Sequence, residues 1–460
     1  MNPPTITTGA SATQVSRRAK LDLMTSIGKP ADLPPDWKPK VLAKLAALLR
    51  ERRSLQVAMD TCVRCGACAD KCHYFLGTGD PNNMPVARAE LLRKVYKRHF
   101  TPAGKLGAGS PLDEKTLEQW FLYYYQCSQC RRCAIYCPFG IDTAEITMAV
   151  REALAEVGLA TKYVVEVIKK ANEIGNNLGI PPLAWTDSCK FLEDEIYEET
   201  GKHIPIPVDR EGAEVLLVPP SADIFANTDT MIAYAKFFHA AGISWTTSTH
   251  ASEAGNFGLF LNYEQLRNVN RRLVEAARAL KVRRLVIGEC GHAWRAAQAF
   301  TDTLNGPLDF LEQPRPEHIL ELVCRILRQG KLKLDKTPND HLTVTYHDPC
   351  NLARAGGLME EPREVLRACV NNFREMPPDT IREKTYCCGG GGGMLSEELM
   401  TLRIQGAKPR ADAFKTSGAT CLATPCAICK AQLPVAFEHY KIDAPIVGVM
   451  DLLGKAIILP

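Results

Sequence analysis

Five cysteines near the C-terminus form the stretch of this sequence with the greatest potential for chemistry. Cys350 is followed after 36 residues by the adjacent pair Cys387 and Cys388, and after 37 more by Cys426-x-x-Cys429. Successive side chains of a strand point to opposite faces, so the adjacent pair does not fit an ordinary core strand. Five glycines directly follow the pair, and glycine lets the backbone fold closely around a bound group because it adopts positive φ freely. Five thiolates converging from three parts of the chain predict an iron–sulfur cluster.

Two further cysteine runs lie in the N-terminal third of the chain. Both have the spacing C-x-x-C-x-x-C-x-x-x-C, which bacterial two-cluster ferredoxins use, with the fourth cysteine of each run serving the other cluster. A tight turn aims three thiolates at one cluster, and the fourth lies one helical turn further on. The alternative metal is zinc, which does not require this spacing twice. We predict one cubane [4Fe–4S] cluster on Cys62, Cys65, Cys68 and Cys137, and a second on Cys127, Cys130, Cys133 and Cys72.

The residue after each run differs, since His73 stands where the second run has Pro138. We interpret His73 as a supporting or surface residue and not as a ligand. The segment between the runs has the three- and four-residue apolar spacing of helices. We therefore predict an all-helical ferredoxin domain over residues 46–160.

Composition limits the function classes that remain. The chain has 460 residues, 18 cysteines and a net charge of only +4, so electrostatics give no basis for a nucleic-acid partner. Residues 1–28 lack the apolar segment of a signal peptide, and no apolar run reaches the roughly 18–20 residues of a membrane span. We predict a cytoplasmic chain without a transmembrane segment, in a reducing compartment where cysteines serve more often as ligands than as disulfides.

The remaining segments suggest an arm, a linker and two α/β domains. Residues 1–45 begin with a Thr-, Ser- and Pro-rich stretch that predicts an extended arm, either a flexible tail or a strap across a partner. Residues 161–212 combine helical patterns with prolines and predict a helical linker. Strands then alternate with helices, which predicts parallel α/β layers over residues 213–335 and 336–460.

These two C-terminal segments have the pattern of an internal duplication. Placing Cys290 over Cys426 aligns Glu289-Cys290-Gly291-His292-Ala293 with Pro425-Cys426-Ala427-Ile428-Cys429, and it brings His250 within a residue of the adjacent cysteine pair. Four of the five ligand positions are lost in the first copy. We predict that this degenerate copy faces the second one and offers Cys290 and His292 to a shared cleft.

Together these motifs resemble the catalytic subunits of heterodisulfide reductases and their relatives over roughly residues 50–450. Among them the sequence is most similar to the DsrK type, a subunit of the sulfite-reductase-associated membrane complex DsrMKJOP, chiefly through residues 289–293. The resemblance implies an α + α/β fold, with a helical two-cluster ferredoxin domain followed by two cysteine-rich CCG-type domains, the first degenerate. It also implies that Cys350, Cys387, Cys388, Cys426 and Cys429 hold a special, possibly non-cubane [4Fe–4S] cluster.

The function that the resemblance implies is electron transfer through the two cubanes to the special cluster, which reduces or forms a disulfide or trisulfide on a small DsrC-type sulfur-carrier protein. The implied partners are a membrane quinol-oxidising haem b subunit and the other subunits of such a complex, at the inner face of the cytoplasmic membrane. Glycolate-, lactate- and glycerol-3-phosphate-type dehydrogenases have iron–sulfur subunits of the same layout. In that alternative the chain only relays electrons to quinone.

Three residues of the degenerate copy are predicted to act at the reacting sulfur. Cys290 lines the approach to the cluster, His292 donates a proton to an opening disulfide, and Glu289 orients His292. A polar turn that merely closes a strand is the alternative for the last two. A redox-sensing or scaffold role, with Cys426 and Cys429 as a thioredoxin-like dithiol, leaves the adjacent cysteines unexplained. The cysteines without a motif are Cys189, Cys324, Cys369 and Cys421.

Overall fold

The computed structural model describes residues 17–253 and 255–460, and its N-terminal third is built from helices around one apolar core. Residues 17–160 contain no strand, in keeping with the helical ferredoxin domain that the periodicity predicts. The aromatic residues Trp120 and Tyr124 are fully buried at the centre of this domain. The helices are α1 Arg17–Ser26, α2 Trp37–Glu51, α3 Arg53–Thr61, α4 His73–Thr78, α5 Pro85–Phe100, α6 Pro102–Lys105, α7 Glu114–Tyr124, α8 Arg132–Ile135 and α9 Thr143–Ala155, with 3₁₀ turns at Ala69–Lys71 and Pro81–Asn83.

The extended arm predicted over residues 1–45 is wrong for the part of it that the structure describes. Residues 1–16 lie outside the described residues, but α1 and the first half of α2 occupy much of the remainder. Met24 and Ile27 are 4% and 2% exposed, because their side chains pack into the core of the ferredoxin domain. This segment is therefore a packed part of the ferredoxin domain.

The helical linker predicted over residues 161–212 is helical but packed. It contains α10 Lys162–Glu173 and α11 Pro182–Thr200. Apolar residues of α11 recur every three or four positions, at Trp185, Cys189, Leu192 and Ile196, and all are buried in the core that the two α/β domains share. The acidic residues of α11 lie on its outer face, which is why the segment looks like a linker in the sequence.

The first α/β domain contains a parallel sheet of four strands in the order β2-β1-β3-β4. Its strands are short and consist of buried residues, as expected for a parallel sheet covered on both faces. The elements are β1 Val215–Val218, α12 Ser221–Phe225, α13 Thr228–Ala241, β2 Trp245–Thr246, a 3₁₀ helix Gly255–Phe260, α14 Tyr263–Ala279, β3 Arg284–Ile287, α15 Gly291–Asn305, β4 Glu317–His318 and α16 Ile319–Arg328.

The second α/β domain contains a three-stranded parallel sheet in the order β5-β6-β7. Its elements are β5 Val344–Tyr346, α17 Cys350–Ala353, α18 Glu361–Cys369, α19 Met400–Ser417, β6 Cys421–Ala423, α20 Ala427–His439, β7 Ile446–Val447 and α21 Val449–Ala456, with 3₁₀ turns at Thr337–Asn339, Pro378–Thr380, Arg382–Lys384 and Glu397–Leu399. Both sheets contribute to the same two apolar cores, so that Leu217 shares one core with Tyr346 and Leu216 shares the other with Leu422.

Candidate iron–sulfur sites

The first cysteine run lies in the loop that follows α3, at the edge of the ferredoxin domain. Positive φ angles of 59° at Arg64 and 81° at Gly66 turn this loop back on itself. Burial raises the pKa of Cys68 to about 11, and the neighbouring thiols of Cys137 and Cys62 add to the shift. Cys65 is exposed. Cys137 of the second run thus lies with the cysteines of the first, as the crossed ligand set requires.

The second run surrounds an enclosed cavity together with a cysteine of the first. Cys72, Cys127, Cys130 and Cys133 all line this cavity. Polar groups approach three of the sulfurs: Gln129 N at 3.4 Å from Cys127 Sγ, Thr143 Oγ1 at 2.5 Å from Cys133 Sγ and Arg88 Nη2 at 3.6 Å from Cys72 Sγ. The geometry brings the second predicted ligand set together, and its role as a ligand set remains a prediction.

His73 is buried between this set and the C-terminal cysteines. It is 1% exposed, so it is not a surface residue, and its Nε2 and Nδ1 lie 2.9 Å from Ser128 Oγ and from Gly406 O. Burial opposes protonation of the imidazole, but the neighbouring thiols of Cys387 and Cys130 raise the pKa of His73 well above its usual value. Burial opposes ionisation of Cys130, but neighbouring His73 and the charge of Arg354 lower the pKa of Cys130 to about 7.

The five C-terminal cysteines converge at the ends of β5 and β6. Cys350 begins α17, Cys426 caps α20, Cys429 lies in the first turn of α20, and the adjacent pair comes from the loop before α19. All are free thiols between 1% and 5% exposed. Backbone N–H groups of the glycine run point at two of the sulfurs, with Gly389 N at 3.4 Å from Cys387 Sγ and Gly390 N at 3.5 Å from Cys388 Sγ.

These thiols lie in one row of neighbours that shift one another's pKa. The neighbouring thiols of Cys350 and Cys388 lower the pKa of Cys387 well below its usual value. Cys388 in turn neighbours Cys429. The neighbouring thiols of Cys290 and Cys429 lower the pKa of Cys426, so that Cys290 of the first α/β domain stands at the end of the row.

Cys290 and His292 lie inside the thiol row and not merely beside its approach. Ligating atoms of Cys290, His292 and Cys426 all lie within 4.8 Å of one another. Neither ring nitrogen of His292 has a hydrogen-bond partner among the described residues. The prediction that Glu289 orients His292 is wrong, because Glu289 Oε1 accepts a hydrogen bond from Met450 N at 2.7 Å and Oε2 faces Lys430 Nζ at 3.7 Å. The backbone path after β3 turns this carboxylate away from the imidazole.

The glycine run packs directly on the loop of the second cysteine run. A Cβ atom at Gly392, where φ is +65°, would lie 2.7 Å from Cys127 O, and one at Gly391 would lie 3.2 Å from both Ser128 O and His292 Nε2. Glycine is therefore required for this close approach. Buried Arg151 fastens the contact, since it donates to Gly392 O at 2.7 Å and to Cys127 O at 2.9 Å.

The sites fit iron–sulfur clusters on the chemistry of their own residues. Disulfide-free thiols converge in each, and backbone and side-chain N–H groups point at the sulfurs, which is the surrounding that such clusters have in proteins. Around the C-terminal thiols, the buried rings of His292 and His347 have nitrogens without partners, as have Arg354 Nη2 and Arg410 Nε. Unpartnered buried donors are costly, and an anionic cluster would satisfy them.

Sequence reasoning missed the polar residues that join the domains. Arg354 Nε donates to Cys130 O at 2.6 Å, and Arg132 Nε donates to Lys384 O at 2.9 Å. An arginine that binds backbone carbonyls across a domain contact has no spacing pattern. For His73 the one available signal was its position directly after a predicted ligand.

Comparison with known proteins agrees with this interpretation of the cysteines. A 4Fe-4S dicluster domain matches residues 58–141, and a cysteine-rich domain of the CCG type matches residues 344–434. The Hdr-like menaquinol oxidoreductase iron-sulfur subunit 2 of Archaeoglobus fulgidus is 43% identical over 469 aligned residues, which cover 93% of this chain and 84% of that protein.

Two more distant relatives match most of this chain. The dihydromethanophenazine:CoB--CoM heterodisulfide reductase of Methanosarcina mazei has a subunit that is 24% identical, with 87% of this chain and 94% of that subunit covered. The EtfAB:quinone oxidoreductase of Syntrophomonas wolfei is 24% identical over 75% of this chain and 50% of its own. The chain belongs to the heterodisulfide-reductase-like family of iron–sulfur oxidoreductase subunits, with two [4Fe–4S] clusters in its dicluster domain and a further iron–sulfur cluster in its cysteine-rich domain.

Proposed function

We propose that this chain is the DsrK-type catalytic subunit of a membrane-associated complex. It passes electrons through its two cubanes to the C-terminal cluster, where a disulfide or trisulfide on a DsrC-type sulfur-carrier protein is reduced or formed. The observation that carries the proposal is the position of His73, which lies beside both Cys130 of the second ligand set and Cys387 of the C-terminal one, so that both raise its pKa. A single side chain spanning both sets supports a direct hand-over of electrons.

The surroundings of the two cubane sites support an order of transfer. The first ligand set lies at the surface. Its member Cys65 is exposed, and two exposed apolar residues flank the set, Val63 at 63% and Phe139 at 52%. The second set is covered by the C-terminal domain. Electrons therefore enter at the first set, pass to the second, and reach the C-terminal thiols.

The proposed entry partner is the membrane quinol-oxidising haem b subunit. In Archaeoglobus fulgidus the similar chain is a subunit of a menaquinol oxidoreductase. In the part of this chain that the structure describes, no helix is long and apolar enough to span a bilayer. A partner subunit that docks over the exposed side of the first ligand set would supply both the electrons and the attachment to the inner face of the membrane.

A cluster held by the C-terminal cysteines would supply one-electron steps there, and the side chains would control sulfur and protons. The thiols of the row are at most 5% exposed, so water is kept from the reacting sulfur. We assign proton transfer to His292, whose unpartnered ring nitrogen lies within 4.8 Å of the Cys426 and Cys290 sulfurs. Glu289 has no part in this step.

The two α/β domains support the inferred duplication. Cys290 and Cys426 each follow a central strand by three residues, and each is the residue before a helix, α15 or α20. The strand orders β1-β3-β4 and β5-β6-β7 also correspond. We infer that the first domain is a copy that kept its fold after losing four ligand positions.

A relay subunit that feeds quinone is the second candidate, and one observation favours it. Every C-terminal thiol is enclosed, and a site that only relays electrons needs no opening for a protein substrate. The similarity to the EtfAB:quinone oxidoreductase points the same way.

An anaerobic assay separates the two functions. Reduced methyl viologen would serve as the donor, and either a trisulfide-bearing carrier protein or a soluble menaquinone analogue as the acceptor. We expect turnover with the trisulfide that is lost in Cys387→Ala and kept in the matched variant Cys369→Ala, a buried cysteine outside the row. Turnover with the quinone analogue alone would refute the proposed substrate and favour the relay.

A further inference from the structure

The first α/β domain contains two cysteines, and they have very different surroundings. Cys324 lies in α16, where its thiol donates to Glu361 O at 3.4 Å. The sulfur of Cys290, by contrast, lies within 4.8 Å of the Cys426 sulfur and so extends the row of C-terminal thiols from five to six. The degenerate domain has thus kept one thiol at the site of the other domain.

A backbone N–H group is directed at the Cys290 sulfur. Cys290 caps the N-terminus of the 15-residue helix α15, and Ala293 N points at its sulfur from 3.5 Å. Backbone hydrogen bonds to the ligand sulfurs are a feature of iron–sulfur sites. The helices α15 and α20 therefore present their N-terminal cysteines to one point from opposite domains.

A second, independent feature points to a metal at this position. His292 is 5% exposed, and both of its ring nitrogens lack hydrogen-bond partners among the described residues. Its ligating nitrogen lies within 4.8 Å of the sulfurs of Cys290 and Cys426. A buried imidazole without partners loses the hydrogen bonds that it makes in water, and a neighbouring metal centre compensates for that loss.

We propose that Cys290 is a ligand of the C-terminal cluster, a sixth thiolate supplied by the degenerate α/β domain. The proposal rests on the proposed function, because it requires that cluster to be present. On binding, the S–H bond of Cys290 breaks, its proton leaves to solvent, an S–Fe bond forms, and no electron is transferred. A cubane takes four cysteines, so a set of six thiolates exceeds what a cubane needs and fits the special, non-cubane cluster that the resemblance implies.

The test uses the full chain, purified anaerobically, with the variants Cys290→Ala and Cys290→Ser and the matched control Cys324→Ala. Iron and zinc per chain would be counted, and EPR and Mössbauer spectra recorded. We expect about twelve irons in the unmodified chain and in the control, since three four-iron clusters are held. Cys290→Ala should lose up to four of them together with the C-terminal signal, and Cys290→Ser should shift that signal because oxygen replaces sulfur at iron.

Unchanged signals of the two cubanes report that a variant is folded. If Cys290→Ala does not fold, the result for Cys290→Ser decides the test. Wild-type iron content and an unshifted C-terminal signal in both variants would overturn the ligand assignment while leaving the proposed function intact. One zinc per chain that is lost in Cys290→Ala would also overturn it, since Cys290, His292 and Cys426 would then hold zinc. Absence of a third cluster from the unmodified chain would refute the proposed function itself.

Discussion

The loop of the first cysteine run, residues 62–68, borders solvent, whereas the loop of the second, residues 127–133, is enclosed by the C-terminal domain. Val63 is 63% exposed, but Ser128 and Gln129 are each 2% exposed. The two runs have the same spacing, so their local chemistry is the same. Their difference shows that domain packing, not the cysteine motif, decides which site faces a partner and which faces the C-terminal thiols.

The largest expected effect tests whether each cubane takes its fourth cysteine ligand from the other cysteine run. Cys72 belongs to the first run but lines the cavity of the second. Cys72→Ser should therefore disturb the cluster of Cys127, Cys130 and Cys133 and leave the other cubane intact. Cys137→Ser is the reciprocal variant and should disturb only the cluster of the first run. EPR of the reduced chains distinguishes them, and damage confined to a variant's own run would contradict the crossed assignment.

The next largest effect concerns Arg151, which links the loop of the second cysteine run to the glycine run of the C-terminal domain. Arg151 is fully buried and donates to Tyr124 O, Cys127 O, Phe260 O and Gly392 O. Arg151→Met should lower the free energy of unfolding by about 3–5 kcal/mol, because four buried carbonyls lose a charged donor.

The matched control lies on the first run, where Arg64 is 59% exposed and faces Glu90 at 3.6 Å. Arg64→Met should change stability by no more than about 0.5 kcal/mol. The measurement is the urea midpoint of helix circular dichroism under anaerobic conditions. Equal midpoints for the two variants would show that the arginine of the enclosed run contributes no more to stability than the arginine of the exposed run.

A pair of glycines sharpens the same contrast. Gly392 and Gly66 both have positive φ, but a Cβ at Gly392 would meet Cys127 O at 2.7 Å, whereas at Gly66 nothing lies within 4 Å. Gly66→Ala should cost about 1 kcal/mol from backbone strain alone. Gly392→Ala should cost about 2–4 kcal/mol, because the clash adds to the strain. Similar unfolding midpoints for the two variants would show that the glycine run accommodates the added methyl group without a further loss of stability.

The sequence predicts the cysteine chemistry well because cluster ligation imposes fixed spacings within short segments. It also predicts the helical character of the ferredoxin domain and the parallel strands, both of which follow from local periodicity. The prediction of an extended arm is wrong because α1 has only three large apolar residues, Leu21, Leu23 and Met24, which are too few to reveal a docked helix. The role predicted for Glu289 is wrong because its side chain faces Lys430 of the other α/β domain, a contact that the sequence does not reveal.

Contacts between domains account for most of what the sequence does not reveal. Arg151, Arg354 and His73 each join segments separated by more than 50 residues in the chain. No local pattern distinguishes such an arginine from one on a solvated helix face. The position of Cys290 in the thiol row likewise depends on how β3 and β6 are brought together, which the duplication suggested only in outline.

The smallest expected effect lies at the junction between the second site and the C-terminal one. The buried imidazole of His73 lies beside both Cys130 and Cys387, and a polar or positively charged group near ligand sulfurs raises a cluster's reduction potential because it stabilises the more negative, reduced form. In His73→Phe this polar group is lost while the ring volume is roughly kept. An interaction worth about 1 kcal/mol corresponds to a fall of about 40 mV for a one-electron couple. An EPR-monitored redox titration should show this fall for the second cubane and no change for the first, whose ligands His73 does not contact. If both cubanes shifted together, the effect would come from a general loss of packing, and the contrast between the enclosed and exposed runs would no longer explain it.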